Sequence, residues 1–159
     1  MPNYKTHLVG GLVTFLCIVP ATTSTSLLTS PSPEELFVYL CVCLLGSIFP
    51  DIDVKSKMQR LFYGAATLAI VLTLLSQAWT LFFIISFCAV IVAMLRHRTI
   101  THQIWFLIAI PGIIALYLSH LKSIDFNLIA SIYLFFVGGA LSHVILDKTL
   151  TAFKKLFKI

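Results

Sequence analysis

Charged residues divide the chain into long uncharged stretches at 6–33, 36–50, 61–95, 99–121 and 126–146. A helix crosses about 30 Å of hydrocarbon with about 20 residues, so the last two stretches each predict one crossing. The stretch 61–95 is too long for one ordinary crossing. Arg60 and Arg96 flank it, and basic residues expected on one side require an even number of crossings between them. Ser76 and Gln77 break it into 61–75 and 79–95, with Trp79 suited to an interface. The first stretch is an apolar run to Val19, then Pro20 and a Ser/Thr-rich segment, 21–32, that reads as a loop. Lys5 followed by a short apolar run also fits a secretory signal. The run 36–49 is short and stops at Pro50, so the first two helices are expected to tilt, to thin the bilayer locally or to be partly re-entrant. The pattern predicts an all-α, polytopic membrane helix bundle of about six helices in one domain, 1–159.

Composition agrees with that solvent. The chain is 59% hydrophobic and 11% charged, against about 45–50% and about 25% in soluble domains. A chain of 159 residues has too little interior to hide so much apolar surface from water. Disordered, collagen-like and disulfide-stapled classes are excluded by the same figures. The net charge of +5 would suggest nucleic acid in a soluble protein, but here it follows topology. With six crossings and the N-terminus inside, Lys5, Lys55, Lys57, Arg60, Arg96, Arg98, Lys148, Lys154, Lys155 and Lys158 are cytoplasmic and only Lys122 is outside. This is the positive-inside pattern. It places both termini in the cytoplasm, makes membrane lipids the expected partners and leaves no role for nucleic acid. Cys17, Cys41, Cys43 and Cys88 all lie in apolar runs, where a thiol behaves as a small hydrophobe.

Ionisable side chains in or beside membrane helices are costly and mark function. His7 opens helix one, Asp51 and Asp53 follow helix two in Pro-Asp-Ile-Asp, His97 and His102 flank the approach to helix five, and His143 and Asp147 lie near the end of helix six. All seven fall on the expected cytoplasmic side, whereas His120 falls outside. His143 and Asp147 are four apart, so on a helix they share a face and can grip one ion. Mixed imidazole and carboxylate donors favour Zn²⁺, with Mn²⁺ or Fe²⁺ as alternatives. Seven donors exceed the three of a usual catalytic zinc site, and two ions about 3.5–4 Å apart would use them in phosphoester hydrolysis.

His7, Pro-Asp-Ile-Asp at 50–53, His-Arg-x-x-Thr-His at 97–102 and Gly-x-x-Ser-His-x-x-x-Asp at 139–147 with Thr149 together resemble the YdjM-like inner-membrane metal-dependent hydrolases, a family distantly similar to zinc-dependent phospholipase C. The resemblance spans nearly the whole chain. It implies an inner-membrane, multi-pass location and a ligand set of His7, Asp51, His97, His102, His143 and Asp147, with Asp53 as ligand or base. Two positions depart from the family pattern, Thr99 after His-Arg and Gln103 after Thr-His, and both bear on the loop and on substrate choice.

The expected activity is hydrolysis of a phosphoester, such as a lipid head group or lipid-linked phosphate, at the cytoplasmic face. Asp53 is the candidate proton acceptor, and Arg98 is the candidate phosphate clamp, since a guanidinium pairs two phosphate oxygens. Gly10, Gly11, Gly138 and Gly139 are expected to let helices one and six approach beneath the site. A metal-ion or proton-coupled transporter is the alternative in another class, and it predicts polar residues through the midplane. A non-catalytic adaptor with a structural metal is the third reading.

Overall fold

The computed structural model describes residues 4–24, 31–51, 57–94, 102–120 and 125–156. These form six α-helices, α1 (Tyr4–Ser24), α2 (Pro33–Ile48), α3 (Lys57–Leu75), α4 (Trp79–Met94), α5 (Ile104–Ser119) and α6 (Phe126–Leu156), with a 3-10 turn at Phe49–Asp51 and no strand among the described residues. The fold is all-helical, as the sequence pattern requires of a chain whose backbone polar groups must be satisfied without water. Among the described residues three segments are long and apolar enough to cross a membrane, Tyr4–Thr23, Pro33–Asp51 and Phe126–Leu150. Phe62–Leu75, Trp79–Val90 and Ile104–Ser119 are apolar but shorter.

The chain divides into two compact units, Met1–Pro50 with His102–Ile159, and Asp51–Thr101. The second is a hairpin of α3 and α4. Gln77 adopts a left-handed backbone with φ 55°, and the Gln77 and Ala78 amides bond back to the carbonyls of Leu74 and Thr73 at 3.2 and 2.9 Å. This is the paired-bond stop that ends helices at a left-handed residue, and it falls on the polar break read from Ser76 and Gln77.

In the first unit α1, α2, α5 and α6 pack together, with α2 against α6 the most extensive contact. Serine, proline and glutamate start α2. Ser32 is the N-cap, Pro33 occupies the first turn, and the Ser32 amide donates to Glu35 Oε2 at 2.7 Å while the Glu35 amide donates to Ser32 Oγ at 3.2 Å. That reciprocal pair satisfies two helix-end donors. Tyr39, Cys43 and Phe135 form one buried cluster, with the Tyr39 and Phe135 rings stacked at 4.9 Å. Leu107, Ala140 and Val144 form another, against Phe49. The cysteines are free thiols, and Cys43 donates to the Gly11 carbonyl at 3.3 Å.

Two helix ends differ from the sequence reading. The first helix does not stop at Pro20 but continues to Ser24, so residues 21–24 are helical and not loop. Pro20 removes one backbone donor, but the Thr22 and Thr23 hydroxyls donate to the carbonyls of Ile18, Val19 and Pro20 at 2.8–3.1 Å. Such threonine bonds to preceding carbonyls fit within a helix. α6 also passes the charged residue that ended its apolar stretch, because a charge ends a membrane span without ending a helix.

Two of the four glycines serve the expected helix pair and two serve another. Gly10 and Gly138 do face the α1–α6 contact, against Leu146 and Ile18. Gly11 faces Ser47 on α2, and Gly139 faces the Cys43 carbonyl, also on α2. Gly46, unnoticed in the sequence, faces the Phe136 carbonyl on α6. At Gly46 and Gly139 a Cβ would meet backbone atoms of the opposite helix, and backbone cannot swing aside as a side chain can. Gly139→Ala is therefore expected to cost at least about 1–3 kcal/mol and to lower the thermal midpoint in detergent. Gly64→Ala, at a helical glycine with open space around it, is expected to leave the midpoint unchanged or raise it by about 1 kcal/mol of stability. Equal midpoints for the two variants would contradict the close-approach account.

Candidate metal centre

Three elements of the first unit bring four ionisable side chains together. His7 lies near the start of α1, His143 and Asp147 lie one turn apart on α6, and His102 occupies the turn before α5. The i,i+4 spacing puts His143 and Asp147 on one face of α6. His102 is held by the anchored first turn of α5. Gln103 is the α5 N-cap, its carbonyl accepts from the Phe106 and Leu107 amides at 3.0 and 3.2 Å, and the Phe106 and Leu107 side chains are buried. The departing residue Gln103 thus opens a helix, and its side-chain oxygen accepts from the Trp105 indole.

Asp147 is the hub. One carboxylate oxygen, Oδ1, lies 3.6 Å from His7 Nε2. The other, Oδ2, lies 3.5 Å from His102 Nε2 and 3.6 Å from His143 Nε2. Donor atoms of His7, His143 and Asp147 all lie within 4.8 Å of one another. The His7 and His143 rings stack at 3.7 Å and 16°, and the His102 ring meets His143 edge-on at 5.4 Å. His7 and His143 are 1% and 0% exposed, whereas His102 and Asp147 are 22% and 21% exposed. The centre therefore has a closed floor and an open side.

The protonation of His143 follows from its other nitrogen. Nδ1 lies 2.7 Å from the Ser47 carbonyl oxygen, and a carbonyl only accepts, so Nδ1 carries the proton. In the neutral ring, Nε2 then presents its lone pair on the side of Asp147. Backbone-anchored Nδ1–H with Nε2 as donor atom is the arrangement that orients metal-ligating histidines.

The spacing fits a metal. Charge-assisted N–H···O⁻ bonds run about 2.7–2.9 Å, and all three contacts to Asp147 are longer. Donors bonded at about 2.0–2.1 Å to one tetrahedral ion stand roughly 3.3–3.4 Å apart. The imidazole-to-carboxylate distances of 3.5–3.6 Å, one to Oδ1 and two to Oδ2, lie close to that separation. Three imidazoles and a carboxylate also form a donor set that zinc accepts. His7, His143 and Asp147 are thus able to hold one divalent ion, and His102 faces the same carboxylate.

His120 is exposed at the far end of α5, where its backbone forms the C-cap, roughly 24 Å along the helix from the His102 end by helical rise. It takes no part in the centre. Asp51 is half-buried at the end of the 3-10 turn and begins the second unit. Asp53, His97 and Arg98 lie outside the described residues. Sequence reasoning missed the Ser47 carbonyl. A backbone acceptor has no side-chain signature, and the only local signal was a helix ended by proline.

The model of the YdjM inner membrane protein family matches residues 1–154. No curated protein and no solved structure matches the chain. The family description names a membrane and no reaction, so any chemistry rests on the site itself. With a family match across nearly its full length and helices of membrane composition, the chain belongs to the YdjM inner membrane protein family.

Proposed function

We propose that this membrane protein is a multi-pass, metal-dependent hydrolase of phosphoesters, with zinc held by His7, His102, His143 and Asp147. The observation that carries the reading is the convergence of three imidazole nitrogens on one carboxylate at 3.5–3.6 Å, a ligand-to-ligand spacing. A bound divalent ion supplies Lewis acidity toward a phosphoryl oxygen and acidifies water near neutral pH. His7 and His143 form the buried floor and exclude water from below. His102 and Asp147 border the open side, where a substrate approaches. Because α1 and α6 are apolar over most of their length, a lipid head group or lipid-linked phosphate is the proposed substrate class. Asp53 as proton acceptor and Arg98 as phosphate clamp enter on sequence grounds, and the cytoplasmic placement on the positive-inside count.

Metal content is the first test. In purified protein, His143→Ala and Asp147→Ala are each expected to remove most bound zinc, while His120→Ala retains it. Equal zinc in all three would show that the cluster is not a site.

A panel of phosphodiesters and phosphomonoesters with lipid and soluble leaving groups tests the chemistry. Arg98→Lys keeps the positive charge but loses the paired donors. It is expected to retain zinc and to lose about tenfold or more in turnover, or about 1.4 kcal/mol of transition-state stabilisation. Wild-type turnover in Arg98→Lys would remove Arg98 from the mechanism, and zinc binding with no hydrolysis across the panel would favour a structural metal.

A further inference from the structure

The end of α2 determines how His143 is held. In an α-helix each N–H bonds to the carbonyl four residues back, so an uninterrupted α2 would use residue 50 to cap Gly46 and residue 51 to cap Ser47. Pro50 has no N–H, and its ring clashes with the carbonyl four residues earlier. α2 accordingly stops at Ile48, and the Phe49 amide turns to the Gly46 carbonyl, three residues back. The Ser47 carbonyl accepts from His143 Nδ1 at 2.7 Å. Ser47 and His143 are both fully buried, and the Ser47 hydroxyl is turned back onto the Leu44 carbonyl at 2.8 Å. Phe49 is in the right-handed helical region with φ −57° and ψ −42°, a conformation that a following proline disfavours. Its ring packs on the Leu107, Ala140 and Val144 cluster and meets Phe136 edge-on at 5.3 Å, so tertiary packing and not local preference sets the turn.

We propose that Pro50 is a positioning residue for the centre: by ending α2 before the residue 51 amide can close onto Ser47, it leaves the Ser47 carbonyl to hold His143 with its proton on Nδ1 and its Nε2 lone pair toward Asp147. The purpose of this device rests on the metal reading above, but the tautomer does not. An extended α2 would turn the residue 51 amide onto Ser47, where it would compete with His143 for the carbonyl that selects between its two neutral forms. Pro50 touches neither the ion nor a substrate and acts only through the carbonyl three residues before it.

Nitrogen-15 spectra of the histidine-labelled full chain in detergent micelles, recorded with and without zinc, test the proposal. The His143 signals are identified by their loss in His143→Ala. The wild-type metal-free chain is expected to show His143 as the Nδ1–H form. Pro50→Ala is expected to shift a substantial fraction to the Nε2–H form and to weaken zinc binding about tenfold or more, the usual cost of losing a partner of a ligating histidine. Pro50→Gly restores the N–H while still ending a helix, and is expected to retain more Nδ1–H than Pro50→Ala. An Nε2–H form in the wild type, or an unchanged tautomer and zinc affinity in both variants, overturns the proposal. That first outcome is readable even if Pro50→Ala fails to fold. A wild-type chain that shows Nδ1–H yet binds no zinc sinks the metal reading and leaves the role of Pro50 standing.

Discussion

One carboxylate facing three imidazole nitrogens at 3.5–3.6 Å is the arrangement on which the first unit is organised. Bringing these groups out of water is expensive, because neither lone pairs nor charge are solvated in a low-dielectric interior. His7 and His143 are essentially inaccessible, and two stacked rings at 3.7 Å would repel if both carried a proton's charge. A divalent ion, if bound, would resolve these conflicts together, since it needs neutral imidazoles and an ionised carboxylate. In this family member the metal is thus the proposed partner of groups that the bilayer would otherwise disfavour.

Holding that cluster requires helices that do not drift. Membrane helices lack the hydrophobic drive that packs helices in water, so close contact comes from small residues that admit backbone to backbone. Gly46 and Gly139 provide it between α2 and α6, beside Ser47 and one turn from His143 respectively. The same approach that packs the helices sets the Ser47 carbonyl against the His143 ring. Gly11 draws α1 onto Ser47, and His7 is carried on that helix one turn away. The packing and the candidate site are therefore one structure, and a change that separates α2 from α6 is also a change in the orientation of His143.

Much of this was legible in the sequence because membranes simplify the reading. The break between α3 and α4 followed from a run too long for one crossing, with Gln77 marking the stop. His143 and Asp147 followed from helical period alone, and the exclusion of His120 from its place at the far end of an apolar helix. The first helix was read too short because Pro20 and the threonines after it are loop residues by composition, whereas in the structure the hydroxyls bond within the helix. Gly10 and Gly138 face the expected α1–α6 contact, whereas Gly11 and Gly139 face α2, since a small residue shows that a neighbour is close and not which neighbour it is. The approach of His102 to Asp147 depends on where α5 begins, which is fixed by the burial of Phe106 and Leu107 and has no local motif. The Ser47 acceptor belongs to the backbone and is invisible to any reading of side chains.

X-ray absorption at the zinc edge, on the purified full chain loaded with one equivalent of zinc, decides whether the three imidazoles and the carboxylate share an ion. The expected spectrum has a first shell of nitrogen and oxygen at about 2.0–2.1 Å, with the outer-shell scattering of about three imidazole rings. A sulfur shell at about 2.3 Å, a shell with no more than one imidazole, or a protein that retains no zinc would contradict a metal centre at Asp147.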